Sequence, residues 1–229
     1  MTTLAPSALA SLRASCDACF GTPAVWPLIQ GAYSEPQRFY HTLAHLHELF
    51  AHLAPFRDEA LWPAIELAVW GHDVVYATTL PAYADNEAHS AAWLLRTTQV
   101  HCTNAWLHAH ASHLALAEQW IRATKAHKLP PECASDPAQK RAALLFLDAD
   151  LAILAAPLER LIDYDRGIAQ ESAQDPDHPA EVFRAGRLQA LKHLREHTPL
   201  FHTDEFASFD PLARANLDAL IVRYESIHQ

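Results

Sequence analysis

The sequence predicts an all-α fold. Only 5 of the 229 residues are Gly, while Ala and Leu, both strong helix formers, are abundant. Apolar residues recur at helical spacing along most of the chain, and no segment has the alternating pattern of a β-hairpin. Hydrophobic residues make up 50% of the chain, which favours a folded protein over a disordered one, and the length suits one large domain with its own core.

Proline, glycine and capping residues divide the chain into predicted helices. They cover, in order, residues 4–19, 23–33, the stretch from after Pro36 to near Pro55, the stretch from Asp58 to about Asp73, and 86–98, 104–127, 137–154, 157–173, 179–196 and 210 onward. Thr22 before Pro23, Asp58, and either Asp85 or Asn86 are the expected N-caps. Further breaks are expected around Pro81 and between residues 175 and 179.

The net charge and the apolar pattern disfavour some classes of binding partner. The formal net charge is −10, which argues against binding to a nucleic-acid polymer or an anionic membrane but allows a small anion in a cationic pocket. We find neither a signal-peptide pattern nor an apolar stretch of about 20 residues, so we expect a cytoplasmic protein with no membrane span. The four cysteines are expected to be free thiols. The oligomeric state is left open.

The candidate metal ligands begin at Arg38. His41 and His45 are four residues apart, so we expect them to share one helical face, with Arg38 one turn before His41. The adjacent His72 and Asp73 come 31 residues after His41 (72 − 41), which fits one helix, a turn and a second helix. Imidazole and carboxylate groups from neighbouring helices can hold a divalent metal while leaving positions open for water and substrate.

Two further carboxylates, Asp148 and Asp150, lie in the strongly apolar stretch 137–154. A carboxylate among apolar residues is costly unless it is paired, hydrogen-bonded or bound to metal. Because they are two residues apart, they do not share a helical face. One can therefore bind a metal while the other supports a ligand or caps a backbone segment. The alternative is that both face water at a helix end.

Taken in order, these residues resemble the H…HD…D signature of the HD-domain superfamily of metal-dependent phosphohydrolases. The similarity is greatest to a branch of predicted metal-dependent HD phosphohydrolases and covers about residues 25 to 225. The matching segments are R-x-Y-H-x-x-x-H at 38–45, A-x-x-x-H-D at 68–73, N-E-x-x-S-A at 86–91, T-x-x-H at 124–127, D-A-D-L at 148–151, Gly186-Arg187, Ala213-Arg214 and Asn216-Leu217.

The sequence departs from that pattern at two places. Gly71 stands before the HD pair where the branch usually has an aromatic residue. Residues 168–172 read I-A-Q-E-S where the branch tends to have I-R-x-E-Y, so an arginine and a tyrosine are missing. If those two residues contact substrate in related proteins, the second departure bears on substrate choice and activity.

The resemblance implies an HD-domain-like helical bundle in a single domain over residues 1–229, with its core at about 25–225. It implies one divalent metal ion held by His41, His72, Asp73 and Asp150. Mn, Mg, Fe, Co, Ni and Zn all accept His and carboxylate ligands, so the sequence does not choose among them. His127 could add a ligand for a second metal, which leaves one ion or two as alternatives.

The implied activity is hydrolysis of a small phosphorylated molecule, with a nucleotide among the candidates, by water that the metal activates. Whether it is a phosphatase, a nucleotidase or a phosphodiesterase stays open. Glu87 is expected to act as general base or to orient the water, although a carboxylate in a first helical turn also interacts favourably with the helix dipole. Arg38 is expected to neutralise phosphate charge. The residues expected to support the metal site or contact substrate are His45, Asp148, Lys125, Lys128, His127 and Arg187.

Two other functions fit the same residues. One is a metal-binding regulatory module with little turnover, which the missing arginine and tyrosine make plausible. The other is a di-iron oxygenase on the same scaffold, which requires further ligands such as His127.

Overall fold

Ten α-helices and no β-strand make up the part of the chain that the structure, a computed structural model, describes: residues 4–79, 82–175 and 179–226, with only the backbone of 82 and 83. The all-α prediction is confirmed. The helices are α1 (Pro6–Phe20), α2 (Trp26–Ala32), α3 (Leu43–Leu53), α4 (Trp62–Gly71), α5 (Asn86–His101), α6 (Asn104–Ala123), α7 (Pro137–Leu151), α8 (Leu158–Ser172), α9 (Ala180–Glu196) and α10 (Phe209–Ser226).

Helix α4 lies at the centre of the packing. It contacts α1, α3, α5, α6 and α7, and every residue from Leu67 to Gly71 is buried. A helix that is apolar on all sides is stable only when other elements surround it. Its C-terminal end therefore lies inside the protein, and the residues that follow it, His72 and Asp73, start from a buried position.

Gly71 allows this close packing. A Cβ atom at this position would lie 2.9 Å from Cδ1 of Ile121 on α6 and 3.3 Å from Cδ2 of Leu94 on α5. Even one methyl group would push these side chains apart, and an aromatic ring would need a larger space than the helices leave. The first departure from the HD-type pattern thus has a packing reason in this chain.

The main error in the predicted helices concerns His41. Helix α3 begins at Leu43, and the residues from Arg38 to Thr42, which we call the clamp segment, are not helical. Thr42 has an extended backbone (φ −116°, ψ 178°), and its side chain caps α3 by accepting a hydrogen bond from the N–H of Ala44. His41 therefore lies before the helix that carries His45, and the two residues do not share a helical face.

Several other boundaries differ by a few residues. Helix α4 starts at Trp62 without a side-chain cap, so the cap expected from Asp58 is wrong. Helix α2 starts at Trp26, without the cap expected from Thr22. Asp85 precedes α5 but makes no side-chain cap bond. Helix α6 ends at Ala123, and His127 follows it in the left-handed region, at φ 48°.

Two expectations from composition can be compared with the described residues. All four cysteines are free, as expected. Within the described ranges, no helix combines the length and the apolar character that a bilayer crossing requires. The breaks predicted around Pro81 and between residues 175 and 179 lie partly outside these ranges.

Helix α8 packs against the clamp segment through Gly167. A Cβ atom at Gly167 would lie 3.1 Å from Cβ and 3.3 Å from the backbone nitrogen of Tyr40, and 3.5 Å from the carbonyl carbon of Phe39. The backbone atoms cannot move away as a flexible side chain would. The absence of a side chain at Gly167 is thus what lets α8 reach the clamp segment.

We predict opposite effects for two glycine substitutions in neighbouring helices. Gly167→Ala should lower the free energy of unfolding by about 1–3 kcal/mol, because the new methyl group meets backbone atoms. Gly186→Ala in α9, where a new Cβ would meet no described atom within 4 Å, should leave it unchanged or raise it by up to about 1 kcal/mol through helix propensity. Urea unfolding measures both, and equal effects of the two substitutions would contradict the close approach at Gly167.

Candidate metal centre

Glu171 of α8 holds the backbone of the clamp segment. Its Oε1 accepts hydrogen bonds from the N–H groups of Phe39 and Tyr40 at 2.8 Å and of His41 at 3.0 Å. Its Oε2 accepts one from Nδ1 of His41 at 2.7 Å. Burial alone would raise the pKa of Glu171, but the charge and hydrogen bond of His41 and the backbone N–H groups lower it to about 2. The carboxylate thus stays ionised and leaves Nε2 of His41 as the free ring nitrogen.

Arg38 holds the clamp segment from the other side. Its guanidinium donates to the carbonyl oxygens of His41 (3.2 Å), Asp73 (2.6 Å) and Val74 (2.9 Å), and Nε donates to Glu35. It lies near the rings of two tyrosines, with Cζ 4.9 Å and 5.3 Å from the centroids of Tyr33 and Tyr76. The whole residue is 0% exposed. The expectation that Arg38 binds substrate phosphate is therefore wrong: it faces backbone carbonyls, and no part of it reaches the solvent.

Three side chains bring potential metal ligands together. In the described part of the chain, ligand atoms of His45 (α3), His72 (after α4) and Asp150 (last turn of α7) all lie within 4.8 Å of one another. The Nε2 atoms of His45 and His72 are 3.0 Å apart. Oδ1 of Asp150 lies 3.4 Å from Nε2 of His45 and 3.6 Å from Nε2 of His72. This group can hold a metal ion.

Asp73 extends the group to four. Its Oδ2 lies 3.0 Å from Nε2 of His72 and 3.7 Å from Nε2 of His45. With metal–ligand bonds of about 2.1 Å, two ligand atoms lie about 3.0 Å apart at a right angle and about 3.4 Å apart at the tetrahedral angle. The measured separations, 3.0–3.7 Å, lie at or up to about 0.3 Å above that range, so the four residues, which we call the metal cluster, can approach a single ion.

Hydrogen bonding also prepares His72 for metal binding. Its Nδ1 donates to the carbonyl oxygen of Val69 at 2.9 Å, which leaves the lone pair of the neutral ring on Nε2, inside the cluster. A second hydrogen bond of this kind is the usual way in which proteins fix the tautomer and orientation of a metal-binding histidine.

The carboxylates of the metal cluster favour a positive charge between them. Burial alone would lower the pKa of His72, but the neighbouring carboxylates, Asp73 first, raise it to about 9. Burial would likewise raise the pKa of Asp150, yet hydrogen bonds from His127 and His45 and the charge of His72 hold it well below its usual value. The carboxylates thus favour a positive charge at Nε2 of His72, carried either by a proton or by a metal ion bound to the neutral ring.

Three of the four predicted metal ligands lie close together in the structure, and the fourth, His41, does not lie with them. His72, Asp73 and Asp150 lie together as predicted, whereas His45, expected to support the site, lies inside the cluster. His41 lies at its edge, with Nε2 3.8 Å from Oδ2 of Asp73 and Nδ1 bound to Glu171. We therefore assign the first histidine of the cluster as His45 in place of His41.

Asp148 has the capping role that was one of its predicted alternatives. Its carboxylate accepts hydrogen bonds from the N–H groups of His202 and Thr203 and from the hydroxyl of Thr203 at distances of 2.6–3.0 Å. It is 1% exposed and outside the metal cluster. The two carboxylates of the apolar stretch thus face different partners: Asp150 the histidines, and Asp148 the turn that precedes α10.

A cavity of about 490 Å³ opens onto the cluster, and we call it the metal cavity. Its lining includes His41, His45, Asp73 and Asp150. Other parts of its lining are Glu87, Lys125, His127 and Arg187. This volume suits a small-molecule ligand.

Three of these lining residues have contacts of their own. His127 places Nε2 3.0 Å from Oδ2 of Asp150, the oxygen that faces away from His45 and His72. Lys125 is 58% exposed and pairs with Asp85 at 3.8 Å. Arg187 is 9% exposed; its Nε donates to Asp165 at 3.0 Å, and its Cζ lies 5.1 Å from the ring centroid of Tyr164.

Two residues that line the cavity each have a buried polar atom with no hydrogen-bond partner among the described residues. The two atoms are Oε2 of Glu87 and Nη2 of Arg187. A buried polar atom without a partner carries a desolvation cost of about 1–3 kcal/mol, more for a charged group. A bound substrate or water is the usual reason for such an atom at a cavity wall.

Sequence reasoning missed Glu171. It is the glutamate of the segment 168–172, which resembles the I-R-x-E-Y run, and a carboxylate 2% exposed in a helix indicates a specific partner. That partner lies 130 residues away, so the spacing carried no sign of it. Ser172, which stands where that run has tyrosine, lines a second cavity beside the metal cavity.

Comparisons of this chain with models of protein families, with curated proteins and with solved structures found no match.

We predict that Arg38→Lys lowers the free energy of unfolding by about 3 kcal/mol or more, because a lysine cannot reach the three carbonyl oxygens and leaves buried acceptors without a donor. Urea unfolding is the measurement. Arg166→Lys is the matched control, because Arg166 forms an exposed pair with Asp163, and it should change stability by less than about 0.5 kcal/mol. A loss no larger than the control's would contradict the role of Arg38.

We also predict that metal binding depends on His45 and Asp150 more than on His41. Mn²⁺, Co²⁺, Ni²⁺ and Zn²⁺ are added separately to the protein without a histidine tag. The ion that binds should raise Tm, because it raises the free energy of unfolding by about 2.7 kcal/mol at an ion concentration of 100 times its Kd. His45→Ala and Asp150→Asn should abolish the shift, while His41→Ala should keep most of it. If His41→Ala abolishes the shift and His45→Ala retains it, the original assignment of His41 is right and the cluster is wrong.

Proposed function

We propose that this protein is a metal-dependent hydrolase of small phosphorylated molecules and a member of the HD-domain superfamily. One observation carries the proposal: the metal cluster lies at a cavity whose lining includes Glu87 and Arg187, and each of these two residues has a buried polar atom without a described hydrogen-bond partner. A ligand set, a base and an anion-binding group on one wall are what hydrolysis of a phosphate ester requires.

His45, His72, Asp73 and Asp150 would hold one divalent ion. When bound, it would supply a Lewis acid that lowers the pKa of water and polarises a phosphoryl oxygen. The four residues come from two helices, α3 and α7, and from the segment after α4, and the capping and hydrogen bonds described above fix α3 and His72 independently of an ion. Such preorganisation favours tight binding.

Arg187 takes the role that the sequence suggested for Arg38. Its Nε and the face of its guanidinium are engaged by Asp165 and Tyr164, which fix its orientation. Nη2 is buried and has no described partner, and Arg187 lines the metal cavity. A guanidinium held in this way can donate a charge-assisted hydrogen bond to a phosphate oxygen.

Glu87 is the candidate for general base. It stands in the first turn of α5 and lines the same cavity, and its Oε2 is buried without a described partner. A general base must hold an available lone pair near the reacting water, and Glu87 has one. A carboxylate that only interacted with the helix dipole would be expected to face solvent.

Two alternatives remain distinct from this proposal. A di-iron oxygenase needs a second set of ligands, and the described residues contain no second group of three ligand atoms within 4.8 Å; His127 beside Asp150 is a single additional histidine. A regulatory module would bind metal through the same cluster but would not turn over substrate, so turnover separates it from the proposal.

A panel of phosphate monoesters, nucleotides and phosphodiesters, each assayed with Mn²⁺, Mg²⁺, Co²⁺ or Ni²⁺, tests the proposal through phosphate or alcohol release. Asp150→Asn is the control for a contaminating phosphatase and should abolish all release. Metal binding without release on any substrate would favour the regulatory module.

On the best substrate we predict different kinetic effects for the two cavity-wall residues. Glu87→Gln should lower kcat by about 10²–10⁴-fold with metal content unchanged, as for a lost general base. Arg187→Lys, which keeps the charge and can still pair with Asp165, should raise KM by about tenfold with a smaller effect on kcat. Full turnover by Glu87→Gln would remove Glu87 from the mechanism, and an unchanged KM for Arg187→Lys would remove Arg187 from phosphate binding.

A further inference from the structure

A second cavity, of about 410 Å³, adjoins the metal cavity, and we call it the annex. Four residues line both spaces: Tyr76, Asn86, Arg187 and Ala190. A molecule that reaches past Arg187 from the metal cavity therefore enters the annex.

The wall of the annex is mainly apolar. Ile168 of α8 and Val182, Phe183 and Ala190 of α9 contribute aliphatic and aromatic surface. A cavity of this kind gains free energy from an apolar group that leaves water.

The main polar groups of the annex are already engaged. Asn86 uses both ends of its amide on Ala77, with Oδ1 accepting from the N–H at 2.8 Å and Nδ2 donating to the carbonyl oxygen at 2.9 Å. Glu171 binds the backbone and ring of the clamp segment. Neither of these two side chains is therefore available to read the edge of a nucleobase or the hydroxyl groups of a sugar, and the apolar wall is the larger part of what the annex offers a ligand.

Gly186 is the residue of α9 at which the space of the annex can be altered. It lies inside α9, where glycine is one of the least favourable residues, and it lines the annex. An added Cβ would meet no described atom within 4 Å, unlike at Gly71 and Gly167, where close neighbours explain the glycine. Helix packing therefore does not require glycine here, and because Gly186 is exposed and lines the annex, a larger side chain at this position would narrow the annex.

Arg187, next in sequence, stands at the junction of the two cavities with Nη2 unpartnered. We propose that the metal cavity and the annex together bind a phosphate monoester of an apolar alcohol or phenol. The phosphate would lie between Arg187 and the metal cluster, and the apolar group would fill the annex. The ester part of this inference rests on the proposed function, whereas the binding of an apolar anion does not.

Paired substrates test the ester. We compare kcat/KM for 1-naphthyl phosphate and glycerol 3-phosphate in the wild type, in Gly186→Leu and in Gly31→Leu. Gly31 lies in α2, away from both cavities, and an added Cβ there also meets no described atom within 4 Å. The wild type should have a kcat/KM for the naphthyl ester about tenfold or more above that for the glycerol ester. Gly186→Leu should lower this ratio of kcat/KM values at least about tenfold, by raising KM for the naphthyl ester. Gly31→Leu should keep the ratio within about twofold of the wild-type value. Thermal unfolding confirms that both variants are folded.

A binding measurement separates the annex from the reaction. The fluorescence of 8-anilinonaphthalene-1-sulfonate, an aromatic anion that is not hydrolysed, reports binding to each protein without turnover. We expect its Kd to rise about tenfold or more in Gly186→Leu and to stay within about twofold in Gly31→Leu.

The outcomes are distinct. If neither ester is hydrolysed but Gly186→Leu weakens probe binding, the proposed function fails and the annex stands as an apolar-anion site. If the esters are hydrolysed but Gly186→Leu changes neither the substrate ratio nor probe binding, the annex proposal is overturned and the hydrolase stands. A wild type without preference for the naphthyl ester also overturns the assignment of substrate class.

Discussion

The backbone of the clamp segment sets the constraint on which the site depends. Residues 38–42 run between two helices without helical hydrogen bonds, next to the core, and buried backbone groups require partners. Two charged side chains supply them: Glu171 accepts from three consecutive N–H groups, and Arg38 donates to the carbonyl oxygen of His41 and to two carbonyl oxygens after α4. Neither side chain is a ligand, yet the position of His41 and of the HD pair follows from both.

These bonds also explain how separate helices hold a common register. Arg38 ties the clamp segment to Asp73 and Val74, and Glu171 ties it to α8, which Gly167 allows to approach. The start of α3 then follows from the Thr42 cap. Because the cluster needs ligand atoms within a few tenths of an ångström of their places, a scaffold joined by buried charge-assisted bonds suits it better than a mobile loop.

The assignment of charges follows the same logic. Arg38 and Glu171 are occupied by backbone groups, and Asp148 by the turn before α10, so their hydrogen-bonding groups are not free to bind a ligand. What faces the metal cavity is a carboxylate pair with histidines, and one arginine and one glutamate that each retain a free polar atom. Among the residues named here, the charged groups that remain able to bind a ligand are those whose hydrogen bonds the fold has left incomplete.

The sequence by itself determined the helical fold and the order of its helices, because composition and apolar periodicity are local properties. It also predicted that His72, Asp73 and Asp150 lie close together, and it left two alternatives for Asp148 and Asp150: different partners, since residues two apart cannot share a helical face, or exposure to water at a helix end. Only the tertiary structure placed His45 beside His72 and Asp150 with His41 at the edge of that group, buried Arg38 and left Arg187 with a nitrogen that has no described partner. Each of those outcomes depends on a partner far away in the chain, such as Glu171, 130 residues after His41. Local spacing predicts which residues can lie close together. Long-range hydrogen bonds decide which of them keep a polar atom free to bind a ligand.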